Sequence, residues 1–457
     1  MTTRREILAL PGALLLGACA SGPSTSAEFP PIVFVHGNGD SAAIWQTTLW
    51  RFESNGWPRG RLFALDQPYP LARDDDRVAQ PGRSSTAQHM EFLREEVDKV
   101  LQATGARQVV LFASSRGGYA VRNYIRNGGG AAKVSHAILA GVPNHGVWNV
   151  PGRAPGSEFA GNGPFLQALN APVNAQGDEV AGPVQWLTIR SDRNDKYAQP
   201  LGTWIGDAKL QTGVTYEGPA LKGATNVVLA RVDHRETAFS PAAFEAAYRF
   251  ITGRQPATLQ VAPEERVLLS GKVVGSGVSS TDPASGSFAN NLPLPGAKLE
   301  VYATDPASGE RRGAAVLAQT VGEDGAWGPL QAQPGTPYEF VVSAPGYATT
   351  HIYRNPFPRS SAIVHLRPDR IAVFERGARA IVTLTRPRGY FDPQRDKAVF
   401  ERRTPPPGVQ PGAGVASSRL QLLEAGRPVH AEFNGEKLVG RSWPIADNEL
   451  AVLELTY

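Results

Sequence analysis

One stretch constrains this chain more than any other: Gln108-Val109-Val110-Leu111-Phe112-Ala113-Ser114-Ser115-Arg116-Gly117-Gly118-Tyr119-Ala120. It opens on a short apolar, β-branched run, which predicts a fully buried strand. It closes on Tyr119-Ala120-Val121-Arg122-Asn123-Tyr124-Ile125, which can continue as a helix. Between them lies Ala-x-Ser-x-Gly-Gly, centred on Ser115. A serine on a tight strand-to-helix turn takes strained dihedrals and presents its hydroxyl, the geometry of a nucleophile. The turn needs small residues two before the serine and two after it, and Ala113 and Gly117 supply them. The same letters also describe a strand ending in an ordinary Ser/Gly loop, and only their setting separates the two readings.

The setting is an alternation of strands and helices. Pro31-Ile32-Val33-Phe34-Val35 and Arg61-Leu62-Phe63-Ala64-Leu65 read as strands, the second after the turn cluster Asn55-Gly56-Trp57-Pro58-Arg59-Gly60. A helix is predicted over 86–103, where Met90, Leu93, Val97, Val100 and Leu101 form one apolar stripe. Further strands are predicted at 134–140, 185–190 and 226–231. A closing helix carries Phe244, Ala247, Tyr248 and Ile251, with Ser240 as cap and Pro241 in its first turn. This order predicts a mostly parallel sheet with helices on both faces over residues 30–254. The excursion at 147–183 fits an acyl-binding wall or a lid, with Trp148 and Phe165 as candidate substrate contacts, or a packed surface excursion.

After Gly253 the pattern changes. Short strand-like runs at 267–274, 297–304, 315–321, 338–343, 361–366 and 380–385 alternate with Gly, Pro and Asp clusters, which predicts an all-β region. Residues 255–367 resemble a small prealbumin-like sandwich, on Pro295-Gly296-Ala297-Lys298, Asp324-Gly325-Ala326-Trp327 and Ala344-Pro345-Gly346-Tyr347. Residues 368–457 form a further β-module, either separate or one unit with 255–367. A total of 48 Gly and 38 Pro suits so many turns.

The beginning of the chain carries its own pattern. Thr3-Arg4-Arg5-Glu6 is followed by an apolar run that ends in Leu16-Gly17-Ala18-Cys19, the one cysteine of the chain. The run is too short for a stable bilayer-spanning helix and reads as an export signal. The Arg pair resembles a twin-arginine signal, and Leu-Gly-Ala-Cys resembles a bacterial lipobox with Cys19 as the lipidated residue. Residues 20–29 then read as a tether. The expectation is an exported cell-envelope lipoprotein, periplasm-facing or at the surface, or a secreted protein. A membrane partner would be reached through lipidated Cys19.

A serine hydroxyl needs a general base within hydrogen-bond reach, and the base needs an orienting carboxylate. His234 follows the run at 226–231 and is the only histidine between 185 and 255, so it is the candidate base. The loop after 185–190 offers two carboxylates, Asp192 and Asp195. All three groups fall just past strand ends, where open α/β sheets bind ligands. The negative charge of a tetrahedral intermediate would need backbone N–H donors, assigned to Arg116, next to the serine, and to Asn38 in Val35-His36-Gly37-Asn38-Gly39-Asp40. His36 reads as a brace for that loop and His145 as site-shaping. His89, His136, His351, His365 and His430 receive no chemical role.

A formal net charge of +4 and the absence of basic runs with interleaved aromatics argue against nucleic acid as a partner. No Cys/His/Asp grouping has metal-ligand spacing and no phosphate-cradling Gly loop occurs, so neither metal nor cofactor is expected.

Residues 30–252 resemble the α/β-hydrolase lipases and carboxylesterases. The resemblance is carried by Ile32-Val33-Phe34-Val35-His36-Gly37, by residues 51–58, by Ala113-Ser114-Ser115-Arg116-Gly117-Gly118 and by Gly141-Val142-Pro143-Asn144-His145-Gly146. Residues 51–58 look most like the lipases with a small lid and a C-terminal β-domain. The resemblance implies Ser115, Asp195 and His234 as triad, with Asp195 favoured because Lys196-Tyr197-Ala198 follows it. It implies ester hydrolysis, most simply of acylglycerols, and a lipid-handling role for 255–457. Polyester depolymerisation and a non-catalytic binding role on the same scaffold are the competing expectations.

Overall fold

The computed structural model describes residues 29–278 and 287–457, so the export signal, Cys19 and nearly all of the tether lie outside the described residues. Six parallel strands form the first sheet: β1 (Ile32–Val35), β2 (Leu62–Ala64), β3 (Val109–Ser114), β4 (Val134–Ala140), β5 (Gln185–Ser191) and β6 (Thr225–Leu229). Their order across the sheet is β6-β5-β4-β3-β1-β2. β3 is buried along its whole length, as a central parallel strand covered on both faces must be.

Helices supply the covers. On one face lie α2 (Thr86–Thr104), α3 (Gly117–Asn127) and α4 (Pro164–Leu169), whose Leu93, Val97, Val121 and Leu166 pack onto Val33, Leu111 and Leu139. On the other lie α1 (Gln46–Ser54) and α6 (Pro241–Thr252), whose Phe52 and Phe244 meet Phe34 and Phe112. α5 (Glu236–Phe239) is a single turn leading into α6. The stops and starts have local causes. Ser85 and Gln88 form a capping box at the start of α2, and Gly105 closes it in the left-handed region at φ 65°. Ser240 caps α6 by accepting from the Ala243 N–H, with Pro241 in the first turn.

α1 has no single apolar stripe, and its two large residues face different ways. Phe52 packs into the first sheet, while Trp50 packs with Leu269, Trp327 and Phe340 of the C-terminal region and donates from Nε1 to the Ser360 carbonyl at 2.9 Å. A helix that serves two cores loses the one-sided periodicity by which helices are found in sequence.

The C-terminal region is rich in antiparallel strands, but its largest sheet has a mixed centre. Seven strands run in the order 317–320, 298–303, 338–343, 349–354, 449–454, 380–385 and 417–422. The last strand of the chain, Glu449–Glu454, lies parallel between Thr349–Arg354 and Ala380–Thr385. One sheet therefore crosses the 367/368 division. The run at 361–366 is not a ladder strand: Ser361 and Leu366 make only isolated bridges to Leu269 and Val273. Among the described residues no helix is long and apolar enough to cross a membrane.

Candidate active site

The turn after β3 holds Ser115 at φ 50°, a strained value for a non-glycine residue. The Ser115 N–H donates to the Ala140 carbonyl and the Gly118 N–H to the Ser115 carbonyl, each at 2.9 Å. Packing explains the glycines around it. A Cβ on Gly117 would lie 2.6 Å from the Val35 carbonyl oxygen, and one on Gly37 would meet the Ser115 Cβ at 3.0 Å. The elbow and the loop after β1 touch backbone to backbone, with no room for a side chain between them.

Three side chains meet at this turn. The Ser115 Oγ lies 2.9 Å from His234 Nε2, and His234 Nδ1 lies 2.9 Å from Asp195 Oδ2. Asp195 and His234 are both buried. The other Asp195 oxygen accepts the Tyr197 N–H at 2.9 Å, which fixes the carboxylate. Asp192 points elsewhere: its Oδ1 accepts the N–H groups of Arg193 and Arg231, at 2.7 and 3.0 Å. It ties the end of β5 to the end of β6.

The loop after β1 is braced from within. Buried His36 donates from Nδ1 to the Gly37 carbonyl at 2.9 Å and accepts the Gln67 N–H on Nε2 at 3.1 Å. Burial lowers its pKa below the ordinary histidine value, consistent with a neutral ring. The Asn38 side chain accepts the Ala72 N–H at 2.8 Å. Among the described residues, no protein acceptor takes the backbone N–H of Asn38 or of Arg116.

The Arg116 side chain, which has no sequence-level role, proves to be a staple. It is fully buried and donates from Nε and Nη2 to the two oxygens of Glu158, at 2.7 and 2.8 Å. It also donates to the Pro70 carbonyl (2.9 Å), the Ser84 Oγ (3.0 Å) and the Ser84 carbonyl (2.8 Å). One guanidinium thus joins the elbow, the 65–85 loop and the 147–183 excursion.

Trp148 and Phe165 end in different places. The Trp148 ring stacks on Trp204 at 5.7 Å, Trp204 meets Tyr197 edge-on at 5.2 Å, and Tyr197 meets His234 edge-on at 4.6 Å. The Arg153 guanidinium lies over the Trp148 ring at 3.9 Å. A half-buried aromatic row therefore leads from His234 to Trp148. Phe165 packs instead on the Tyr119 ring at 5.8 Å and against the sheet core. In the sequence Tyr197 enters only as part of the segment after Asp195 and Trp204 not at all; their signal is the presence of bulky aromatics close behind the acid.

The segment carrying His234 is held from the C-terminal region. Arg386 donates to Asp233 at 3.1 Å and also pairs with Glu236; Arg395 pairs with Glu236 as well. The Tyr390 N–H donates to Asp233 Oδ2 at 2.7 Å. The Tyr390 ring lies under two cations, Lys196 Nζ at 4.0 Å and the Arg235 guanidinium at 5.0 Å. Burial pulls the Lys196 ammonium down to about 8. Arg235 in turn pairs with Asp40 of the loop after β1 at 2.7 Å. Asn291 of the C-terminal region donates from Nδ2 to the carbonyls of Asp40 (2.9 Å) and Gln67 (2.8 Å).

The remaining histidines bridge or pack. His145 hydrogen-bonds Glu179 at 2.8 Å and the Gly218 carbonyl, tying the excursion to the segment before β6. His365 joins the two regions through Asp66 at 2.7 Å. His351 pairs with buried Glu339 at 2.7 Å and stacks on Trp443. Among the described residues no group of three or more His, Cys, Asp or Glu side chains could hold a metal ion.

Comparison with known proteins places these elements. Residues 30–145 match the family described as Lipase (class 2), and residues 265–371 match the Lipase C-terminal domain. Among solved structures, the chain overlaps lipase B of Aspergillus fumigatus at 14% identity and a TM-score of 0.37, covering 52% of this chain and 56% of that one. It thus spans little more than half the length of that lipase. It overlaps the Bacillus licheniformis lipase BlEst2, in its propeptide form, at 13% identity and a TM-score of 0.35, covering 69% of this chain and 89% of that one. It overlaps the carboxylesterase CesB of Bacillus subtilis at 14% identity and a TM-score of 0.29, covering 51% and 86%.

Proposed function

We propose that this chain, an α/β-hydrolase lipase with a C-terminal domain, cleaves carboxylic esters of the acylglycerol type through a serine acyl-enzyme. The observation that carries the reading is the unbroken relay from Ser115 through His234 to Asp195, with both hydrogen bonds at 2.9 Å. His234 Nε2 takes the proton of the Ser115 hydroxyl as Oγ bonds to the ester carbonyl carbon. Asp195 holds the Nδ1–H and stabilises the imidazolium that forms. The N–H groups of Asn38 and Arg116 receive the charge on the former carbonyl oxygen. His234 then passes its proton to the leaving alkoxide, the alcohol departs, and the acyl group stays on Ser115. Water, deprotonated by the same histidine, releases the acid and restores the serine.

Trp148, Trp204 and Tyr197 form an apolar flank suited to an acyl chain. Cys19 would carry the lipid anchor, placing the enzyme at a bacterial envelope; loss of palmitate labelling in Cys19→Ala is the expected result. Membrane attachment then goes through that anchor, and neither metal nor organic cofactor enters the reaction.

The test is labelling by a fluorophosphonate probe together with p-nitrophenyl ester turnover. Both should vanish in Ser115→Ala. Turnover retained in that variant refutes the proposal, and stoichiometric polymer binding without labelling would indicate a binding protein instead. Clearing on polyhydroxyalkanoate plates but not on tributyrin plates would move the substrate to polyesters.

A further inference from the structure

We propose that a cavity between the loop after β1 and the C-terminal sheet binds a small dianionic oxyanion of the phosphate or phosphomonoester class. The cavity measures about 300 Å³. Four guanidinium groups line it, those of Arg235, Arg354, Arg367 and Arg388, against two carboxylates, Asp40 and Glu454.

Both carboxylates are already taken. Asp40 pairs with Arg235 at 2.7 Å, and Glu454 pairs with Arg354 at 2.6 Å. The other two cations meet neutral acceptors only. Arg367 donates to the carbonyls of Gly275 and Asn290 and to the Asn291 side-chain oxygen, at 2.6, 2.7 and 3.2 Å. Arg388 is 4% exposed and donates to the carbonyls of Leu455, Thr456 and Ala43 and to the Gln46 side-chain oxygen. The Nε groups of Arg354 and Arg388 are buried without an acceptor. His365, also at the wall, adds no charge: its Nδ1 accepts the Lys272 N–H and its Nε2 donates to Asp66.

Arg367 feels the charges of Asp66 and Asp40, and Arg388 those of Glu454 and Glu436, but neither is hydrogen-bonded to a carboxylate, so two guanidiniums stand in excess of the two ion pairs of the lining. A buried cation without a hydrogen-bonded counter-ion is unfavourable, and since the Nη groups of Arg388 are already spent on four protein acceptors, its pull on an oxyanion is that of its charge rather than of a free fork. Ile44, Val274, Ile352 and Val452 also line the cavity, but an acyl chain there would leave the guanidiniums without a polar partner. A dianion fits the excess charge, and the space exceeds what a monatomic ion fills. Bound there, it would lie against Asp40 and Arg235, so that the loop after β1 and the His234 segment are both tied to the C-terminal sheet through it.

The experiment uses the full chain and reads binding, independently of ester turnover. Inorganic phosphate is titrated against chloride at matched ionic strength, with the thermal midpoint and the ³¹P line width as readouts. A saturable rise of about 2 °C or more, absent with chloride, is expected. Arg367→Gln and Arg388→Gln should each weaken phosphate binding about tenfold or more, in line with the loss of a charge-assisted hydrogen bond. Glycerol 3-phosphate binding more tightly than phosphate would assign the site to a headgroup-like phosphomonoester, and equal binding would assign it to free phosphate. Wild-type protein with no saturable response to phosphate overturns the proposal whether or not the variants fold. So does an unchanged response in both variants.

Discussion

The proposed nucleophile and its proposed base are held by the same kind of bond but from different parts of the molecule. At the elbow, Arg116 and Glu158 form a fully buried pair 42 residues apart, and every partner of Arg116 lies within the first 254 residues. At the base, Asp233 and Glu236 flank His234, and their partners Arg386 and Arg395 arrive from the C-terminal region, 153 residues along the chain for Asp233–Arg386. The Arg116 staple of the elbow thus lies within the α/β unit, whereas the segment carrying His234 is tied to the β-region. That region is also interlocked through Trp50, which α1 lends to the C-terminal core. It belongs to the framework of the candidate site through its contacts to Asp233 and Glu236.

The largest effect should come from the base side itself. Asp195→Asn should lower kcat about 10⁴-fold by releasing the His234 tautomer, while Asp192→Asn, whose amide oxygen can still accept the Arg193 and Arg231 N–H groups, stays near wild type. Equal losses in two folded variants would move the acid to Asp192. Next comes the elbow. Arg116→Met leaves Glu158 buried and unpaired and should cost about 3–5 kcal/mol in chemical denaturation. A loss below 1 kcal/mol would show that the elbow keeps its shape without the staple. Third is the clamp from the C-terminal region. Arg386→Gln combined with Arg395→Gln should lower kcat about 10- to 100-fold through misplacement of His234, with KM little changed. A wild-type kcat in that double variant would detach the β-region from the base.

Legibility followed the same divide. Strands such as Ile32–Val35 and Val109–Ser114 were readable as short runs that are mostly apolar, and Val134–Ala140 has the expected limits. The helix predicted over 86–103 was legible from the stripe of Met90, Leu93, Val97, Val100 and Leu101, and it runs to Thr104. Ser115, His234 and the two candidate aspartates were legible because strand ends in an α/β sheet order them along the chain. Arg116–Glu158 was not, since nothing local marks a residue whose partner lies in an irregular excursion. Arg386, Tyr390 and Arg395 were hidden by sequence distance, being read only as part of a β-module. In the C-terminal region Asn434-Gly435 carries a strong two-residue hairpin signal between Pro428–Phe433 and Glu436–Arg441, and it passed unread among the Pro/Gly breaks. The parallel insertion of Glu449–Glu454 could not be read from pattern at all, because strand order is a tertiary property.

The smallest expected effect sharpens the elbow side of the comparison. The excursion that carries Glu158 is also held by His145, whose Nε2 meets Glu179 at 2.8 Å. The hydrogen bond to Glu179 raises the His145 pKa above its ordinary value near 6.5; burial opposes it, the Gly218 carbonyl and the Glu179 charge support it, and Arg122 works against it. A raised folded-state pKa means that the stabilisation is fully present below the unfolded value and is lost as pH climbs through the folded one. The side chain is 38% exposed, so solvent screening keeps the effect to a few tenths of a kcal/mol. The thermal midpoint of wild type minus that of His145→Gln should therefore be largest near pH 5.5 and shrink toward pH 8.5. A difference that stays constant across that range would mean that the imidazole holds the excursion as a neutral donor, leaving Arg116 as the charged tie between excursion and elbow.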